Sequence, residues 1–139
     1  MGFRISSLFT AVSMAAAVTL GAGCQANPAA RVPSAGELKG TWAQTGTGYE
    51  QGRPVSWENQ TLVVEEAEGQ GFTGYKTYQR EGEPAQKEVL NGVIAPNGDI
   101  LITDEDGVFR GRFLDDTIQG QYAEVGADSA AINVQLTRK

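Results

Sequence analysis

From residue 38 onward, apolar and polar positions alternate in short runs separated by Gly, Pro, Asn and Asp. In the segment VFRGRFLDDTIQGQYAE, residues 108–124, Phe109, Gly111 and Phe113 alternate with Val108, Arg110 and Arg112. After the turn LDDT, Ile118, Gly120 and Tyr122 alternate with Thr117, Gln119 and Gln121. A period of two sends alternate side chains to opposite faces of a strand, so this segment predicts a hairpin with one apolar and one solvated face. Each apolar face carries a central glycine. The same apolar-x-Gly-x-apolar pattern occurs at Leu38-x-Gly40-x-Trp42 and Leu90-x-Gly92-x-Ile94, and in partial form at Phe72-x-Gly74. Inward glycines mark bends, bulges or close backbone approaches, and their repetition around a sheet turns the corners of a small barrel.

Six further strands follow from the same alternation: 38–44, 55–65, 72–80, 87–95, 100–104 and 129–138. A Gly-rich loop, TGTGYEQGRP, separates the first two. In the third, Phe72, Gly74, Lys76 and Tyr78 share one face, and a bulge near Gly74 resets the register. Asn97-Gly98 predicts a type I′ turn. Asp104-Glu105-Asp106-Gly107 reads as a hairpin turn with a left-handed glycine; it lacks the distal bidentate Glu of a calcium loop, so no metal site is expected. The predicted fold class is all-β: a single eight-stranded antiparallel up-and-down β-barrel over residues 38–139, following an N-terminal signal segment and a flexible tether. Eight strands is the number at which such a sheet closes around side chains or one small ligand. An open two-sheet sandwich is the alternative architecture.

The N-terminal 23 residues have one charge, Arg4, then an uncharged run from Ile5 to Leu20 that ends in small residues. The run is too short and too rich in Ala, Ser and Thr for a comfortable membrane span and reads as an export signal. Leu20-Gly21-Ala22-Gly23-Cys24 resembles the lipobox of bacterial lipoproteins, in which cleavage precedes a cysteine that becomes lipidated. That resemblance implies residues 1–23 as signal peptide, a lipid on Cys24, and a membrane partner in the bacterial cell envelope. Gln25 after the cysteine resembles lipoproteins sorted to the outer membrane, facing the periplasm. An ordinary secretory signal cut after Ala26 is the other reading. Residues 24–37, with two prolines and no apolar period after the cysteine, are expected to form a disordered tether.

Composition narrows the chemistry. Without Arg4 the balance is 10 basic against 17 acidic residues, with no basic cluster, which argues against nucleic acid as a partner. The chain has no histidine and one cysteine, so Ser-His and Cys-His catalysis, imidazole metal sites and an internal disulfide are all excluded. Glu65-Glu66 and Asp115-Asp116 are adjacent and point to opposite faces, so neither pair forms an acid/base dyad by itself. No enzyme activity and no cofactor are expected. Arg110 and Arg112 share a face, which suits an anion clamp or, more simply, solvated arginines paired with nearby carboxylates. The aromatics Trp42, Trp57, Phe72, Tyr78, Phe109, Phe113 and Tyr122 either fill the barrel or line a cavity for an apolar ligand, with Gln44 as a polar contact.

Leu38-Lys39-Gly40-Thr41-Trp42 is similar to the opening Gly-x-Trp strand of the lipocalin and avidin group. Gly69 to Tyr75, and Gly120-Gln121-Tyr122 followed by Ala131 to Gln135, resemble later strands of the same barrels. The resemblance implies a binding barrel, but not biotin binding, because Gln44 stands where avidins use Asn. The expected function is a membrane-anchored, non-enzymatic lipoprotein that binds a small apolar ligand or an envelope partner. The alternative is an inhibitor of a periplasmic enzyme, of protease or lysozyme type, acting through the tether or the barrel loops.

Overall fold

A computed structural model describes residues 30–139; the expected signal peptide, Cys24 and the first part of the tether lie outside the described residues. The elements are β1 (Ala30–Arg31), a 3₁₀ turn (Ala35–Leu38), β2 (Gly40–Glu50), β3 (Arg53–Glu68), β4 (Gly71–Tyr78), β5 (Gln86–Ile94), β6 (Asp99–Thr103), β7 (Gly107–Leu114), β8 (Thr117–Glu124) and β9 (Ala130–Arg138). Each strand from β2 to β9 pairs antiparallel with the next, and β9 returns to pair with β2 from Trp42↔Arg138 to Glu50↔Ala130. That last ladder closes the sheet, so the protein is an eight-stranded up-and-down barrel and not an open sandwich.

Inward positions follow the alternation. Phe109, Gly111 and Phe113 are buried while Arg110 and Arg112 are exposed, and Arg112 Nε meets Asp99 Oδ1 at 2.7 Å on the outside. The interior glycines have two separate causes. A Cβ on Gly74 would lie 1.8 Å from the Val63 carbonyl oxygen, and one on Gly120 2.2 Å from that of Arg110, so these positions let adjacent strands coil tightly. A Cβ on Gly92 would instead strike the Phe72 ring at 2.1 Å, and one on Gly111 the Phe109 ring at 2.5 Å. Here the missing side chain seats an aromatic.

One end of the barrel is stoppered. β1 extends the sheet beside β7 through Arg31↔Phe113, and the chain then places Pro33, Ala35 and Leu38 across the opening, all buried. Trp42, fully buried, donates from Nε1 to the Leu38 carbonyl at 2.9 Å and meets Phe113 edge-on at 6.2 Å. Arg138 stacks on Trp42 at 4.3 Å and donates to the carbonyls of Lys39 and Glu37, tying the last strand to the stopper. The Glu37 carboxylate accepts from Ser34 N (2.7 Å), Ser34 Oγ (3.1 Å) and Arg31 Nη1 (2.7 Å). The segment expected to be a tether is therefore packed from Arg31 onward, because Pro33 and Ala35 cover core that would otherwise face water.

Other local expectations are corrected as well. Leu38 belongs to the 3₁₀ turn, and Gly40 (φ 123°) starts β2 beside the Arg138 guanidinium; it is not a mid-strand glycine. The expected Gly-rich loop is mostly strand. Gly46 and Gly48 continue β2 because a Cβ at Gly48 would meet the Ala131 carbonyl at 2.1 Å, and the reversal needs only Gln51 and Gly52, both with positive φ. At Pro96-Asn97-Gly98 only Gly98 has positive φ, since Pro96 fixes its own φ in the negative range and forces a three-residue loop. The bulge near Gly74 falls on the opposite strand, between Val64 and Glu66. Gly107 is not left-handed; its Cβ would collide with the Ala123 carbonyl and the Tyr122 ring.

Gly74→Ala is expected to lower the unfolding free energy by about 3 kcal/mol, because the clash is with a fixed carbonyl. Gly36→Ala, whose Cβ has no neighbour closer than 3.9 Å, should stay within about 0.5 kcal/mol in the same urea titration. The Ser34 backbone donor, then Arg31, lower the Glu37 pKa from 4.5 to about 2. A depressed carboxylate stabilises the fold above its unfolded pKa and loses that contribution as pH falls through the folded value. The gap in Tm between wild type and Glu37→Gln should accordingly be steady above pH 4.5 and close toward pH 2; a gap insensitive to acid would contradict this.

Candidate functional site

Going from the stopper toward the other end, the inward residues change from apolar to polar. On β2 the sequence runs Trp42-x-Gln44; on β4, Phe72-x-Gly74-x-Lys76-x-Tyr78; on β5, read backwards, Leu90-x-Glu88; after β6, Ile102-x-Asp104. Register brings these positions together. Lys76 pairs directly with Glu88, and Gln44 with Gln60, whose side chains join at 2.9 Å.

Lys76 and Glu88 are 7% and 8% exposed. Lys76 Nζ donates to Asp104 Oδ2 at 2.7 Å and lies 3.1 Å from Glu88 Oε2. The rings of Tyr78 and Tyr122 flank the ammonium at 5.2 and 5.1 Å. Tyr122 OH donates to Asp104 Oδ1 at 3.0 Å, and the same oxygen accepts the N–H groups of Asp106 (3.1 Å) and Gly107 (2.8 Å). Tyr78 OH donates a short hydrogen bond to Glu88 Oε1. Glu88 Oε2 is buried and accepts no hydrogen bond, its one charged contact being the Lys76 ammonium at 3.1 Å.

The electrostatics follow from burial and pairing. Burial opposes the charge on Lys76, but the hydrogen bond and attraction of Asp104, then of Glu88, outweigh it and raise the Lys76 pKa. Burial, then Glu88, raises the Tyr78 phenol; burial, then Asp104, raises Tyr122. Two carboxyls above the cluster, Asp106 and Glu124, are also raised: the largely exposed Asp106 by partial desolvation and then the Glu88 charge, the half-buried Glu124 by burial. Lys76 is therefore a cation held in place and not a free amine nucleophile.

Over this floor the barrel opens into a cavity of about 410 Å³. Trp57 and Tyr78 line it, together with Asp106 and Glu124, and Lys76 reaches its base. Trp57 is fixed edge-on against Tyr122 at 5.3 Å. Below the ion cluster the interior leaves only about 20 Å³, no more than one water, bordered by Gln44, Phe109 and Tyr122 among others. Of the eight residues expected to line a ligand cavity, Trp57 and Tyr78 do so, and Gln44, Phe109 and Tyr122 border the small void. Trp42, Phe72 and Phe113 lie in the packed core. An apolar ligand in the barrel centre has no room, and the accessible site is polar.

A wider depression of about 630 Å³ lies outside β2, β3, β8 and β9, among outward Thr, Gln and Asn side chains such as Thr47, Gln121 and Asn133. It holds no buried charged group. The residues that sequence reasoning missed are Glu88, Asp104, Asp106 and Glu124, together with the role of Lys76. Their signal was present as polar residues in phase with the apolar face, all at the same end of their strands.

No protein-family model matches the chain, and no curated protein matches it.

Removing Lys76 leaves Glu88 and Asp104 buried without a cation, so Lys76→Met is expected to cost about 3–5 kcal/mol in urea unfolding. Lys87→Met, at an ammonium that stacks on the outer face of Tyr75 at 3.8 Å, should cost under about 1 kcal/mol. Equal, small costs would show that the Lys76 amine is solvated.

Proposed function

We propose that this is a non-catalytic binding barrel of the lipocalin and avidin kind, carried on a membrane by lipid at Cys24, with its ligand site in the polar mouth. One observation carries the reading: a cavity of about 410 Å³ stands directly over a buried network of Lys76, Asp104, Glu88 and two tyrosines. Such a network gives no clear stability advantage over apolar packing, while it does hold polar groups rigidly at the base of a cavity of ligand size. Catalysis has less support. The chain has no histidine, and the amine of Lys76 is held protonated between carboxylates.

The point where the chain joins the barrel supports the anchored arrangement. Ala30 pairs at the stoppered end, so a lipid on Cys24 would hold that end toward the membrane and the mouth toward the aqueous side. The envelope location, on the outer membrane facing the periplasm, belongs to the same proposal. Enzyme inhibition through the N-terminal segment has weaker support, since Pro33, Ala35 and Leu38 already pack against the barrel.

Mass spectrometry of protein extracted from its native membrane should show an N-terminal Cys24 carrying acyl chains; an unmodified Cys24 or a start at Asn27 would remove the anchor. Trp57 emission should respond when a small-molecule collection is titrated into the mature chain, and Trp57→Phe should abolish the response. If no compound perturbs Trp57, the mouth is not a ligand site.

A further inference from the structure

Resting on the reading of the mouth as a binding site, we propose that its ligand is a small organic cation, an amine or guanidinium compound, held between Trp57 and the carboxylates Asp106 and Glu124. The charge in the cavity is unbalanced: five carboxylates line it against three basic groups, of which Arg53 has no ion pair among the described residues. Lys76 is already neutralised from below by Asp104 and Glu88. Arg80, on the rim, faces Glu50 at 3.7 Å and the Tyr78 ring at 5.8 Å. Among the described residues, neither Asp106 nor Glu124 has a basic group at ion-pair distance. A cation entering the mouth therefore meets a net excess of carboxylates, whereas an anion finds only Arg53 unpaired and is repelled by that excess.

The aromatic wall points the same way. Tyr78 already carries the Lys76 ammonium and the Arg80 guanidinium near its ring, so this environment accepts cations on π faces. Trp57 offers the stronger π surface, and among the described residues it has no cation against it. The floor contributes a third feature. Glu88, more than nine-tenths buried, has one carboxylate oxygen that accepts no hydrogen bond and meets only the Lys76 ammonium, at 3.1 Å, and its charge raises the pKa of Asp106, which lines the cavity. A ligand N–H group that engages Asp106 would relieve this crowding of carboxyls, which a neutral or anionic ligand cannot do. The half-buried Glu124, and Asp106 beside the Glu88 charge, are each raised above the usual carboxylate range, so a cation would stabilise their charged forms.

The test is calorimetric and fluorimetric titration of the mature chain with agmatine and cadaverine, with benzoate and glucose as anionic and neutral probes. The two cations should bind with a change in Trp57 emission, and benzoate and glucose should not. Asp106→Asn combined with Glu124→Gln should weaken agmatine roughly tenfold or more, while Glu65→Gln, exposed near the stoppered end, should leave it unchanged. If the double variant does not fold, as judged by circular dichroism, the salt response of wild type serves instead: affinity should fall clearly between about 20 and 500 mM NaCl. Binding of benzoate or glucose at Trp57 without agmatine would overturn the cation assignment and keep the site. Failure of both cations to bind would overturn it too, and silence across the wider collection would remove the site itself.

Discussion

An ammonium group withdrawn from water inside a protein must recover the lost hydration from fixed partners, or the fold bears several kcal/mol of penalty. In this barrel Lys76 recovers it from Asp104, Glu88 and the rings of Tyr78 and Tyr122, which arrive from four strands or strand ends. Those groups meet only if the sheet is closed and every register is correct. A shift of one residue in β4 would turn Lys76 outward and leave two carboxylates facing the core. The ion cluster thus depends on barrel closure and in turn discriminates against a slipped strand.

Closure creates an asymmetry along the barrel axis. At one end Trp42, Phe113, Leu38 and Arg138 form a dry stopper, and the N-terminal segment completes it. At the other end the inward faces become polar before the strands finish, and the open mouth stands over charge. Glycines serve both ends by a common means. Where Gly74 and Gly120 let backbones approach, the sheet coils, and where Gly92 and Gly111 give way to rings, the centre fills. A filled centre leaves the mouth as the one substantial cavity over a buried charged floor among the described residues.

Much of this architecture was legible because a period of two survives in almost every strand. The alternation of Phe109, Gly111 and Phe113 with Arg110 and Arg112 specifies faces without reference to any partner strand. Glycine misled where its purpose was tertiary: Gly46 and Gly48 look like loop residues, yet they are strand residues that make room for β9. Residues 30–37 likewise carry no pattern by themselves; Pro33 and Ala35 acquire a role only against an end of the barrel that does not exist until the sheet closes. The candidate site was the least legible part. Lys76, Glu88 and Asp104 lie 12 and 16 residues apart along the chain, and a buried charge reads as an error of phase until its partners are seen beside it. Trp57 and Tyr78 could be placed inside, but whether an inward aromatic packs or lines a cavity is set by height along the axis, which local pattern does not encode.

The most direct test of the central claim is the protonation of Lys76 itself, followed by NMR of the side-chain nitrogen in ¹⁵N-lysine-labelled protein and assigned by loss of one signal in Lys76→Arg. Held by Asp104 and Glu88, the amine should remain an ammonium as pH rises past 10.5, the ordinary lysine value, with its protons in slow exchange with water. Loss of the proton below pH 10.5 would mean that burial outweighs pairing, and fast exchange would mean that the group is solvated; either result would contradict a barrel built over a buried, neutralised charge.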